Sequence, residues 1–137
     1  MKTKILVMLV TLFAATTSAF SQKQPDKALY TLCSKSGDCT MTWDEFKRCN
    51  KELTPNDKNL KIVSFTVSVL VVPLTGKDSV YVDYGNTGNA FSKETNDALD
   101  KLINEKRIVR NKILIEEVKA SKDGKEMKIT GMVIKLK

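Results

Sequence analysis

The sequence predicts an α+β fold, a single compact domain built on a mainly antiparallel β-sheet or sandwich with two short helices. Three observations predict it. Between Lys61 and Val72, the residues Val63, Phe65, Val67, Val69 and Val71 alternate with Ser64, Thr66 and Ser68, the period-two pattern of a strand with one face in the core. Asp123-Gly124 separates two further apolar runs and suits the positive φ angles of a tight hairpin. Thr42 stands three residues ahead of Glu45, and Ser92 precedes a spaced apolar stripe; a hydroxyl at either place can accept from the first free amides of a helix.

Taken in order, the chain opens with Lys2 and Lys4, an apolar run from Ile5 to Ala15, and small residues at Thr17, Ala19 and Ser21. This is the three-part layout of a secretory signal peptide over residues 1–21. Cleavage is placed after Ser21, with Ala19 three residues inside the bond; cleavage after Ala19 is the alternative. The run is shorter than the roughly 20 apolar residues a membrane helix needs, and no later stretch approaches that length. The expectation is a periplasmic or secreted protein without a membrane span. Residues 22–27, with Pro25, form a flexible lead-in, and 28–137 form the domain. Loss of Lys2 and Lys4 takes the formal charge from +7 to +5. Export separates the chain from nucleic acid, so this mild excess implies solubility or weak attraction to anionic surfaces.

Ala28 to Leu32 can form a short strand, "SKSGD" a turn, and Cys39 to Met41 a second brief strand. Thr42 and Glu45 then have capping-box spacing, and Phe46, Cys49 and Leu53 define one inward helical face that Pro55 closes. After the strand at 61–72, Pro73 and "TGKD" turn the chain into "SVYVDY", and "GNTGN" at 85–89 is expected as a loop. Ser92 caps a helix to about Glu105, with Leu99, Leu102 and Ile103 as its apolar stripe. "KILIEEVKA" and the residues after "KDGK" form the closing hairpin. In its return strand the apolar parity changes from Met127 and Ile129 to Met132, Ile134 and Leu136. A bulge with Gly131 as the extra residue accounts for the change.

Catalytic and metal chemistry finds few of the side chains it needs. Read as a calcium loop ending at Glu45, residues 34–45 place Ser34 and Ser36 where carboxylates belong and Cys39 where an EF-hand requires glycine. The chain has no histidine, so neither a Cys-His nor a Ser-His-Asp arrangement can be assembled, and zinc would lack imidazole ligands. The acid pairs Glu116-Glu117 and Asp97 with Asp100 match solvated faces better than two carboxyls opposed across a cleft. No catalytic residue, metal site or cofactor is assigned. The three cysteines, Cys33, Cys39 and Cys49, instead suit pairing in an oxidising compartment. Parity points Cys39 and Cys49 inward, which favours their pairing; Cys33 with Cys39 across the turn is the alternative, and one thiol is left over either way.

The "YGNTGN" segment could cradle an anion near a helix start, but it lacks the ending of a P-loop. Tyr81, Tyr84 and Phe91, with Asn86 and Asn89 of the loop, are the interface candidates, since aromatic residues anchor contacts; for the three aromatic residues, core and edge packing is the favoured role. Trp43, in the first turn of its helix, is assigned to packing.

The stretches "ALYTLCSKSGDCTMTWDEF", "KIVSFTVSV", "GNAFSKETNDALDKL" and "ILIEEVKASKDGKEMKITGMVIKLK" resemble, in order and spacing, the C-terminal periplasmic domain of GldM, the gliding-motility and type IX secretion protein. Ser64 to Ser68, Asn89 to Ser92, and Lys119-Ala120 before Asp123-Gly124 carry the resemblance most strongly. It implies a non-enzymatic module that contacts other envelope proteins. GldM proteins carry a membrane anchor and several periplasmic domains, whereas this chain shows a cleavable signal and one domain. The expected function is an exported protein–protein interaction module with an envelope partner. The alternative is a periplasmic small-ligand or anion binder using residues 84–93, with Lys93 nearby.

Overall fold

The structure, a computed structural model, describes residues 28–76 and 78–137; the expected signal peptide and the 22–27 lead-in lie outside the described residues. The chain runs β1 (Tyr30–Leu32), β2 (Lys35–Ser36), β3 (Cys39–Met41), α1 (Trp43–Arg48), β4 (Thr54–Pro55), β5 (Leu60–Val71), β6 (Val80–Thr87), α2 (Lys93–Asn104), β7 (Ile108–Lys122), β8 (Lys125–Ile129) and β9 (Met132–Leu136). This is the α+β organisation the sequence predicts. The main sheet has the order β3-β9-β7-β5-β6, with β8 also on β7, and a small sheet has the order β2-β1-β4. All pairs named here are antiparallel except β3 with β9, which run parallel with Cys39 opposite Ile134.

The two long strands set the core. On β5, Phe65, Val67, Val69 and Val71 are buried, as the alternation requires, but Val63, expected on the same face, is only half-buried, and Leu60 and Ile62 of the other parity are buried instead. On β7 the buried set likewise changes from Ile113 and Ile115 to Val118 and Ala120. The change falls at Glu116-Glu117, where Glu117 takes a left-handed φ of 47°. The parity change detected between Ile129 and Met132 is therefore one end of a crease that crosses three neighbouring strands.

The bulge assigned to Gly131 is corrected by the register. Val118 opposes Ile129 and Ile115 opposes Met132, so both strands carry two residues across the crease and Gly131 is not extra. Glycine is needed there for space: a Cβ would run into the carbonyl oxygen of Ile115. Tyr30 of the small sheet spans the same level, its hydroxyl donating to the Thr130 carbonyl at 3.0 Å.

Both helices start where their caps predict. Thr42 N–H donates to Glu45 Oε2 at 2.7 Å and Glu45 N–H to Thr42 Oγ1 at 3.1 Å, the complete capping box. Helix α1 buries Phe46 but ends at Cys49, so Leu53 reaches the core from the following segment and not from the helix. In α2, Ser92 Oγ accepts from Thr95 N–H, and Thr95, Leu99, Leu102 and Ile103 are buried. Their side chains join the inward residues of β5, β7 and β9 in one core, to which Trp43 adds a half-buried ring. The expected loop at 85–89 is in part strand, because β6 continues to Thr87 opposite Ser64. The short strands β2 and β4, absent from the sequence reading, flank β1.

Candidate interaction surface

The helices cover one face of the main sheet and leave the other open. Side chains of the outward parity sit in register across four strands: Tyr81 beside Leu70, Asp83 beside Ser68, Ser68 beside Leu114, and Leu114 beside Val133. Leu70, Leu114 and Val133, with Tyr81, Arg110 and Lys112, line a shallow groove of about 180 Å³ on this face. Ser68 is buried among them, its Oγ 2.6 Å from Asp83 Oδ1 and 3.0 Å from Glu116 Oε2. Its single hydroxyl proton serves one carboxylate at a time.

The hairpin end of the sheet is unusually apolar for a surface, on both faces. Val72, Leu74, Val80 and Tyr81 all expose large hydrophobic side chains, Leu74 by 81% and Tyr81 by 65%, and all four belong to the β5–β6 hairpin. Val80 and Tyr81 open β6, and Val72 and Leu74 lie just ahead of it; β6 is the edge strand of the main sheet, and its outer side pairs with no strand among the described residues. An edge of this length with apolar neighbours is a template for a further strand.

The interface candidates divide. Tyr81 is on the open surface, and Asn89 is exposed with its carbonyl accepting from Leu53 N–H at 2.7 Å. Tyr84 is half-buried against the core, where burial raises its pKa and Arg107 opposes that rise. Phe91 and Asn86 are corrected to structural roles, being only 6% and 4% exposed. Phe91 lies 5.6 Å from Phe65, centroid to centroid, in the core. Asn86 Oδ1 accepts from Ser92 N–H at 2.7 Å and from the Thr95 hydroxyl at 2.9 Å, while Nδ2 donates to the Tyr84 carbonyl at 3.0 Å. One buried amide thereby fastens the start of α2 to β6. The exposed tip at Val72, Leu74 and Val80 was missed by sequence reasoning; its signal was the break of alternation at Val71-Val72-Pro73-Leu74.

The disulfide joins Cys33 to Cys49, with Cα atoms 5.2 Å apart, and Cys39 is free. This corrects both the favoured Cys39–Cys49 pairing and the Cys33–Cys39 alternative. Cys33 and Ser34 take left-handed φ values of 52° and 64°, forming the turn between Leu32 and Lys35 that brings Cys33 to the C-terminal end of α1. Cys39 is held in the other sheet, opposite Ile134. Burial there pushes its thiol pKa up, with Lys35 lowering and Asp38 raising it further, so it stays protonated and weakly nucleophilic at neutral pH. Among the described residues no helix is long and apolar enough to cross a membrane.

No family model matches the chain, and no curated protein matches it.

Proposed function

We propose that the chain is an exported, non-enzymatic interaction module that docks on a cell-envelope protein through the β5–β6 hairpin and the free edge of β6. The observation that carries this reading is the concentration of Val72, Leu74, Val80 and Tyr81 beside an unpaired edge strand. Exposed apolar side chains gathered in one place are characteristic of contact sites, and an edge strand offers backbone hydrogen bonds to an added strand. The Cys33–Cys49 bond belongs with an oxidising compartment, in keeping with export to the periplasm or beyond. The resemblance of Ser64–Ser68, Asn89–Ser92 and the 119–124 hairpin to the GldM periplasmic domain suggests the partner class, a component of a secretion or gliding system.

The anion-binding alternative loses support from the geometry. Asn86 Oδ1 already supplies the acceptor at Ser92 N–H, and Ser92 Oγ supplies it at Thr95 N–H. The test is recovery of envelope proteins on the immobilised domain, compared with a Leu74→Asp, Tyr81→Ala variant of unchanged melting temperature. Loss of a specific partner is expected; equal recovery by the variant would remove the hairpin as the docking element.

A further inference from the structure

The open face beside this hairpin has its own chemistry, and resting on the reading above we infer that it seats an extended acidic peptide segment of the partner. The floor is apolar: Leu70, Tyr81, Leu114 and Val133 line one groove. Its rim is cationic. Arg110 and Lys112 line the same groove, and Lys135 is in register with Lys112 on the next strand. Arg110, Lys112 and Lys135 are exposed, and among the described residues none of the three makes an ion pair. Three unpaired cations along one edge of an apolar strip complement a chain that alternates carboxylates with aliphatic side chains.

The backbone supports this placement. Between the pairs Val71↔Ile108 and Val69↔Ile113, β5 carries one residue and β7 carries four. The surplus is accommodated by Arg110 and Asn111, both with left-handed φ, 59° and 53°. Such a conformation is disfavoured in residues with a Cβ, and bulges of this kind re-aim a side chain; here Arg110 is turned onto the groove. On the far side of the floor Asp83 and Glu116 share Ser68. That acidic boundary sets the polarity: the carboxylates, on one side of the extended ligand, face the Arg110–Lys112–Lys135 edge, and its aliphatic side chains face the floor.

The probe is a synthetic heptapeptide alternating Asp with Val, titrated into the purified domain and followed by amide chemical shifts. Shifts are expected at Arg110, Leu114 and Val133, with binding weakened about tenfold or more in an Arg110→Glu, Lys112→Glu variant and by added salt. A Lys-Val heptapeptide should produce none. The inference is overturned by an absence of shifts with the acidic peptide, by equal binding of both peptides, by indifference to the charge reversals, or by recruitment to anionic phospholipid vesicles without peptide binding. A Leu74→Asp, Val80→Asp variant alters no residue of the groove: a partner lost by it but retained by the rim variant would leave the docking hairpin standing and dismiss the groove.

Discussion

Removing the Cys33–Cys49 bond tests the largest single constraint on the small sheet and α1. The bond joins positions separated by 16 residues, enclosing β2, β3 and α1. A loop of that size restricts the unfolded chain by an amount corresponding to about 3 kcal/mol. For a domain of this length roughly 4 °C accompanies each kcal/mol, so a Cys33→Ser, Cys49→Ser variant should melt about 12 °C lower. Locally the effect is concentrated in α1. A six-residue helix cannot persist by its own hydrogen bonds, so its amides should lose exchange protection before those of β5 and β7. Thermal unfolding by circular dichroism, with and without a phosphine reductant, provides the assay, and Cys39→Ser provides the control with little change. The reasoning fails if reduction leaves the melting temperature where it was, or if Cys39→Ser lowers it more than the double variant does.

Three further outcomes are expected. Burial, assisted by Asp38, raises the Tyr30 pKa to about 12, so its contribution is complete below pH 10 and is lost as pH rises towards 12; urea titrations should show Tyr30→Phe about 1 kcal/mol less stable at pH 7, with the gap closing between pH 10 and pH 12, and a constant gap would contradict the assignment. Asn86→Ala leaves Ser92 N–H and the Thr95 hydroxyl without their acceptor and should cost about 3 kcal/mol in urea denaturation; a change under 1 kcal/mol would mean that water replaces the amide without loss. Gly131→Ala should destabilise by about 2 kcal/mol or more because its Cβ meets strand backbone. Gly85→Ala, with nothing within 4 Å, should stay within about 0.5 kcal/mol, and equal melting of the two variants would refute the close approach at Ile115.

The legibility of the site followed the range of the interactions involved. Asp-Gly at 123–124 and the hydroxyl caps at Thr42 and Ser92 were identifiable because their partners lie within a few residues. Tyr81 is a candidate in the sequence because aromatic residues anchor contacts, and it is the one of the three aromatic candidates that stands on the open surface. For Asn86 and Phe91 the sequence leaves contact and packing roles open, because a polar or aromatic residue beside glycines looks the same whether it faces solvent or ties a helix to a strand.

Local chemistry in the chain itself determined the α+β class, the inward face of β5 from Phe65 to Val71, the start of each helix and the closing hairpin. These depend on periodicity and on hydrogen bonds spanning three or four positions. The folded molecule alone decided which cysteines meet, that β3 lies parallel to β9, that the parity change before Met132 extends as a crease into β7 and β5, and that cations and aliphatic side chains share one open face. Each of those is a meeting of segments distant in sequence, chosen by how the whole core closes, and no local pattern records it.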